Sequence, residues 1–128
     1  MKRSIMVVED DLPIIEMMEL MLSRLGYEPR TGTDGYSALA DVKANPPSLI
    51  LLDVMMMPMD GWEFLDRLRA DPATKDLPVL LFTAHPSVES KAAGLRDPKL
   101  GILLKPVTIP ELEEAIHRFL GPDDQGNP

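Results

Sequence analysis

The chain has 128 residues, of which 45% are hydrophobic and 27% charged, and its formal net charge is -8. This length and balance are typical of one globular domain, which excludes a disordered chain and leaves no room for a second domain. The negative charge argues against binding of a nucleic-acid backbone, and the absence of cysteine excludes disulfides and thiolate metal sites.

The first apolar run, residues 5–8, is stopped by the acidic residues Glu9, Asp10 and Asp11. It is too short for the apolar region of a secretory signal. No apolar stretch of the chain approaches the roughly 20 residues that a membrane-spanning helix needs. We therefore expect a cytoplasmic protein that does not contact a membrane.

Five short segments of the chain have the properties of strands. Four are apolar runs too brief for a helix and bounded by acids, proline or threonine, which is typical of strands buried on both faces of a parallel sheet. The predicted strands are Ile5 to Val8, Leu49 to Leu52, Val79 to Phe82, Ile102 to Leu104 and, more weakly, Glu28 to Thr31.

The longer segments between these strands have helical spacing. In the first, Leu12 to Leu25, Asp11 can cap the start, Pro13 fits the first turn and Gly26 can end the helix. The other predicted helices are Gly35 to Ala44, Trp62 to Ala70, Val88 to Leu95 and Ile109 to Leu120. Five repeats of strand and helix predict a doubly wound α/β domain over residues 1–120, followed by a short disordered tail, residues 121–128.

Polar residues close most of the predicted strands. In open parallel sheets ligands bind at the carboxyl ends of the strands, so these residues are the candidates for a site. They are Glu9, Asp10 and Asp11 after the first strand, Asp53 after the third, Thr83 after the fourth and Lys105 after the fifth. The pattern predicts one cleft that gathers several carboxylates, a hydroxyl and an ammonium group.

Carboxylates held close together repel one another, and a hard divalent cation relieves that repulsion. Mg²⁺ prefers oxygen ligands, and Asp10 and Asp53 are the best direct candidates, with Glu9 acting directly or through water. Asp53, which closes the central strand, can also attack phosphorus to form an aspartyl-phosphate. Lys105 and the metal would neutralise the transferring group, and Thr83 would hydrogen-bond it once attached.

Each of these residues alone has an ordinary structural explanation. Acids before a helix are commonly caps, an aspartate at a strand end is usually solvated, and single threonines and lysines are mostly surface residues. Only their joint placement at successive strand ends favours a functional site.

Taken together, the motifs of the chain resemble the receiver domain of bacterial two-component response regulators over nearly the whole length. The motifs are Val7-Val8-Glu9-Asp10-Asp11, Leu51-Leu52-Asp53-Val54-Met55, Met59-Asp60-Gly61-Trp62-Glu63-Phe64, Thr83-Ala84 and Lys105-Pro106. The resemblance implies a flavodoxin-like five-stranded parallel sheet of order 2-1-3-4-5 with helices on both faces. It also implies a signalling domain that assists its own phosphorylation and dephosphorylation but is not a turnover enzyme.

The resemblance assigns a role to each matching residue. Asp53 corresponds to the phosphoacceptor, Glu9 and Asp10 to the acidic metal pair, and Met55 to the residue whose backbone carbonyl completes the Mg²⁺ shell. The implied phosphodonor is a histidine kinase or a phosphotransfer protein. The implied output is altered affinity for a partner protein through the face formed by helix 4, strand 5 and helix 5. We expect a stand-alone monomer or weak homodimer that does not bind nucleic acid directly.

Two departures from the family pattern affect the expected switch. Thr83 and Lys105 match the pair that responds to the phosphoryl group, but the family aromatic three residues before the lysine is Ile102 here. The usual ring rotation is therefore unavailable. In the loop after the acceptor, Pro58 lies one position later than the family pattern, which should reshape the loop without moving Asp53.

Three alternatives to a stand-alone switch remain open. The chain could be the receiver half of a larger DNA-binding regulator, cut near Leu120. It could be an interaction module that no longer uses phosphorylation, as Ile102 and Pro58 suggest. A Mg²⁺-dependent hydrolase is disfavoured, because such enzymes generally need a second carboxylate just beyond the nucleophile, where this chain has Val54 and Met55.

Overall fold

A computed structural model describes residues 2–121 of the chain. Strands and helices alternate from one end of this range to the other. The strands are β1 (Ser4–Val8), β2 (Glu28–Gly32), β3 (Leu49–Asp53), β4 (Val79–Thr83) and β5 (Leu100–Leu104). The helices are α1 (Leu12–Arg24), α2 (Gly35–Ala44), α3 (Gly61–Ala70), α4 (Val88–Gly94) and α5 (Ile109–Leu120). The predicted tail lies, from residue 122 onward, outside the described residues.

All neighbouring strands are parallel and follow the order β2-β1-β3-β4-β5. This confirms the predicted fold and strand order. Val8 pairs with Leu52 and Asp53 pairs with Phe82, so the carboxyl ends of β1, β3 and β4 lie at the same edge of the sheet.

Apolar side chains cover both faces of the sheet. Every residue of β3 and β4 is buried. Alternate residues point to opposite faces of a strand, and one core cluster contains Ile50 and Leu52, whereas the other contains Leu49 and Leu51. The sheet is therefore held rigidly between two helical layers, and the ends of its central strands are fixed in position.

Side chains cap the starts of α1, α2, α3 and α5, whereas α4 has no side-chain cap. Asp11 Oδ1 accepts the N–H of Ile14 at 3.5 Å, as predicted for α1. Asp60 Oδ1 accepts the N–H of Glu63 at 2.9 Å. This cap places the start of α3 at Gly61, one residue before the predicted start. Thr108 forms a reciprocal capping box with Glu111 at the start of α5. Caps of this kind satisfy backbone donors that the first turn leaves unpaired.

The loop between β3 and α3 follows the phosphoacceptor candidate. Its Met57–Pro58 peptide bond is cis, as is Lys105–Pro106 after β5. Met56 and Met59 are buried, whereas Met55 and Met57 are 63% and 75% exposed. The loop returns to the end of the strand, where the Gly61 N–H donates to the Val54 carbonyl at 2.9 Å.

Several boundaries differ from the predictions by one or two residues. β5 begins at Leu100, two residues earlier than expected, and Asp53 and Thr83 are the last residues of their strands. α4 has seven residues and is the shortest helix of the described chain. Within residues 2–121 there is also no helix with the length and apolar character needed to span a membrane.

Candidate functional site

The ends of four adjacent strands form a cleft of about 260 Å³. Glu9 follows β1, Asp53 and Thr83 end β3 and β4, and Lys105 follows β5. These four residues line the cleft together with Asp10, Asp11, Ile14, Met55, Ala84 and His85. The structure thus brings together all of the predicted site residues except Ile102.

Three carboxylates form the acidic part of the cleft. Glu9, Asp10 and Asp53 each offer an oxygen that lies within 4.8 Å of the other two. Glu9 and Asp53 are only 1% and 4% exposed, whereas Asp10 is exposed. Glu9 Oε2 accepts the backbone N–H groups of Asp10 at 3.1 Å and Asp11 at 3.2 Å, which fixes its orientation.

Lys105 is the cation that the structure places beside these carboxylates. Its Nζ lies 3.3 Å from Glu9 Oε1 and 3.7 Å from Asp53 Oδ1. The same atom lies 4.8 Å from the centre of the Phe82 ring, a cation–π distance that helps to hold the ammonium over the end of β4. One ammonium group faces three carboxylates, so the cleft retains an excess of negative charge.

Burial and this excess together raise the pKa of Glu9 to about 7. Burial is the main cause, and hydrogen bonding to and repulsion from Asp53 add to it. Lys105 and the backbone N–H of Asp11 act in the opposite direction but do not offset the increase. A buried group of carboxylate oxygens that is short of positive charge fits a hard divalent cation.

Asp53 is positioned by its own strand and by the following loop. Its Oδ1 accepts the backbone N–H of Met55 at 3.1 Å. A Cβ atom on Gly61 would lie 2.7 Å from the Asp53 carbonyl oxygen, so only glycine allows α3 to begin this close to the strand. The carboxylate therefore points into the cleft from a fixed backbone.

Thr83 adds a hydroxyl to the lining of the cleft. The residue is 1% exposed, and its Oγ1 accepts the backbone N–H of His85 at 3.1 Å. Because Oγ1 is the acceptor in that bond, the hydroxyl hydrogen can be donated to an oxygen in the cleft. The contact with His85 was not predicted, since a backbone donor leaves no side-chain signal in the sequence.

Ile102 lies outside the cleft, on β5 opposite Leu81 of β4. Its side chain is partly buried and packs against the core cluster that includes Leu81, Val88 and Ala92. A change in its packing would therefore be felt by α4 rather than by the acidic residues directly.

Comparisons with known proteins agree with this geometry. The family model described as the response regulator receiver domain matches residues 5–117. The N-terminal domain of a response regulator receiver protein from Methanoculleus marisnigri is 44% identical, with a TM-score of 0.76 over 92% of this chain and 96% of that one. The receiver domain of the sensor histidine kinase PA1611 from Pseudomonas aeruginosa, solved with a magnesium ion in its active-site cleft, is 26% identical. Its TM-score is 0.85 over 94% of this chain and 99% of that one.

Among curated proteins, the phosphate regulon transcriptional regulatory protein PhoB of Escherichia coli is 34% identical over 125 residues. The match covers 95% of this chain and 55% of that protein. The chain spans about half the length of the curated relatives it matches.

Proposed function

The chain belongs to the response regulator receiver family, and we propose that it is a phosphorylation switch whose acceptor is Asp53. The proposed donor is a histidine kinase or a phosphotransfer protein. The observation that carries the proposal is the environment of Asp53, which ends the central strand beside two further carboxylates and Lys105. Membership in this family makes the chain a signalling domain rather than a turnover enzyme.

Mg²⁺ is the proposed cofactor. Glu9, Asp10 and Asp53 would hold it with their carboxylates, and Met55 would add its backbone carbonyl. The hard oxygen donors and the raised pKa of Glu9 support this assignment. When bound, Mg²⁺ supplies positive charge that stabilises a transferring phosphoryl group.

The proposed reaction forms one bond and breaks one. A carboxylate oxygen of Asp53 attacks the phosphorus of the donor, and the bond from phosphorus to the donor's nitrogen or oxygen breaks with its electron pair on the donor. Lys105, already 3.7 Å from Asp53 Oδ1, would pair with a phosphoryl oxygen. Thr83 would donate its hydroxyl hydrogen to another. Attack by water on the same phosphorus would break its bond to the Asp53 oxygen, release inorganic phosphate and regenerate the carboxylate.

The proposed output is a change in affinity for a partner protein at the face formed by α4, β5 and α5. A ligand shifts a conformational equilibrium only through contacts that differ between the states, and the attached phosphoryl group would provide them at Thr83 and Lys105. Without an aromatic ring at position 102, we propose that Ile102 transmits the change by repacking against α4. The proposal assigns the domain to the cytoplasm, as a monomer or weak homodimer without direct nucleic-acid contacts.

Intact-mass spectrometry tests the phosphorylation step. The chain would be incubated with acetyl phosphate in the presence and absence of Mg²⁺, alongside Asp53→Asn and the exposed α3 control Asp66→Asn. Addition of one phosphoryl group to the unmodified chain and to Asp66→Asn, but not to Asp53→Asn or without Mg²⁺, would support the proposal. A chain that gains no phosphoryl group, and does not bind beryllofluoride either, would instead be an interaction module independent of phosphorylation.

A second candidate is that the same switch controls a DNA-binding domain encoded with it. This candidate is favoured by the curated relatives, which are about twice as long as the match and include a transcriptional regulatory protein. Reading the gene beyond the codon for Pro128 would distinguish the two. A downstream DNA-binding domain in frame would favour the second candidate, and a stop codon the first.

A further inference from the structure

The strand β5 forms one edge of the sheet, and part of its backbone faces outward. The Lys99 carbonyl accepts from the Val79 N–H, and the Lys105 N–H donates to the Thr83 carbonyl, both at 2.8 Å. The residues on either side of β5 therefore direct these backbone groups toward β4. In a parallel ladder alternate residues bond the same neighbouring strand. Ile102 and Leu104 therefore direct their N–H and C=O groups away from β4.

The opposite edge of the sheet is protected. The Glu28 N–H donates to Arg3 and the Gly32 carbonyl accepts from Glu9, so the even-numbered residues of β2 face β1. Pro29 then falls on the outward side, where its missing N–H prevents regular pairing with another strand. β5 has neither a proline nor a charged residue between Leu100 and Leu104. Natural sheets usually protect their edges, so the difference points to a use for the β5 edge.

Acidic side chains outnumber basic ones in the cleft beside Ile102 and Leu104 of the β5 edge. A cleft of about 260 Å³ runs between α4, β5 and α5, and Leu104, 41% exposed, lies on its floor beside Ile102. The charged residues that line this cleft are Glu89, Glu111, Glu114 and Arg118. Glu111 is engaged in the capping box with Thr108. Among residues 2–121, neither Glu89 nor Glu114 takes part in an ion pair.

The start of β5 is held firmly. Arg69 Nε donates to Asp97 Oδ2 at 2.7 Å, and its two terminal nitrogens donate to the carbonyls of Leu77 and Lys99. These bonds tie α3 to the loop before β5. The outward backbone groups therefore belong to a strand that is already ordered, which lowers the entropic cost of pairing with another strand.

We propose that the outer edge of β5, with its rim of Glu89 and Glu114, binds a basic and extended segment of a partner protein as a sixth strand. We call this surface the β5 groove. The backbone of the segment would pair with Ile102 and Leu104, its apolar side chains would cover them, and its lysines or arginines would face the rim. This inference deepens the proposed function, on which it rests for the existence of a protein partner.

Charge distinguishes this occupant from a second copy of the chain. Two β5 grooves placed face to face would bring their glutamates together, with only Arg118 on each rim to compensate, and like charges juxtaposed across an interface are unfavourable. A basic segment would instead match both the rim and the net charge of -8.

Fluorescence anisotropy with a defined peptide tests the proposal. The probe is a short labelled peptide that alternates lysine with valine, compared with one that alternates glutamate with valine, on the whole chain with and without Mg²⁺ and beryllofluoride. We expect the basic peptide to bind at least about tenfold more tightly than the acidic one. Glu114→Lys should weaken binding by about fivefold or more. The matched control Glu113→Lys, exposed on the same helix but outside the cleft, should leave binding almost unchanged.

Amide hydrogen exchange then tests the mode of binding. Strand pairing should slow exchange at the outward N–H groups of Ile102 and Leu104 when the basic peptide is bound. Unchanged exchange at both positions, equal binding of the two peptides, or equal loss in Glu114→Lys and Glu113→Lys would each overturn the proposal.

The intact-mass assay, run on the same samples, separates this inference from the proposed function. Phosphorylation of Asp53 without peptide binding would contradict only the proposed role of the β5 groove. Peptide binding by a chain that cannot be phosphorylated would contradict only the switch.

Discussion

Replacing the buried Glu9 with glutamine should stabilise the metal-free protein at alkaline pH. The pKa of this carboxyl is raised from its ordinary 4.5 to about 7, so the folded protein holds a proton that the unfolded chain has released. Between these two values stability must therefore fall as the pH rises, and above pH 7 the ionised Glu9 opposes folding. Glutamine is uncharged at every pH and can still accept from Asp10 and Asp11 while donating to Asp53.

The magnitude follows from the pKa. The difference between 4.5 and about 7 corresponds to roughly 3 kcal/mol of unfolding free energy. Because the glutamine amide replaces the oxygen that accepts from Lys105 at 3.3 Å, part of this gain is lost, and we expect about 2 kcal/mol to be measured. Near pH 5, where Glu9 is protonated in the folded state but already partly ionised in the unfolded chain, the variant and the original chain should differ by less than about 1 kcal/mol.

Urea denaturation in the presence of a chelator, at several pH values between 5 and 9, would measure this difference. Glu113→Gln, an exposed substitution on α5, is the matched control and should show no such dependence on pH. If Glu9→Gln were less stable than the original chain at pH 8, or shifted stability equally at all pH values, the explanation by burial and repulsion would be wrong.

Further predictions concern the loop, the metal and a helix cap. Gly61→Ala should lower stability by about 1–3 kcal/mol in urea denaturation, because its Cβ would lie 2.7 Å from the Asp53 carbonyl, whereas Gly94→Ala, with nothing within 4 Å, should be neutral or slightly stabilising. Mg²⁺ affinity, measured by calorimetry, should rise between pH 6 and pH 8, because the proton on Glu9 competes with the ion; affinity independent of pH would contradict that competition. Thr108→Ala should cost about 1 kcal/mol by loss of the capping box, and Thr108→Ser should retain most of it.

The fold could be predicted because its central strands have an unambiguous pattern. Apart from their last residues, β3 and β4 are continuous apolar runs, and this pattern at that length is typical of a strand covered on both faces. The start of β5 was missed because glycine at position 101 weakens the strand signal. A Cβ there would lie 2.8 Å from Leu80 and 3.1 Å from Phe119. The glycine is therefore required by tertiary packing, which local sequence does not reveal.

The site was predictable in membership but not in its internal arrangement. Polar residues at strand ends meet wherever parallel strands end together, so the gathering of Asp53, Thr83 and Lys105 follows from topology. Which of two adjacent acids turns inward depends on the backbone path after β1, and the structure buries Glu9 while exposing Asp10. The raised pKa of Glu9 depends on that choice and could not be read from the sequence.

The loop after Asp53 shows the same limit. Met55, Met56 and Met57 are chemically identical, yet only the middle one is buried. Composition predicts that methionines fill such a loop but not which of them reach the core.

The unequal edges of the sheet also bear on aggregation. A protein with two open edges can add strands on both sides, and its copies can then stack into fibrils without limit. Pro29 faces outward from β2 and lacks the N–H that regular strand pairing needs. A molecule paired through β5 therefore cannot add another strand regularly at its opposite edge. The protein can thus keep one apolar edge open to other chains while its assemblies end after a single pairing.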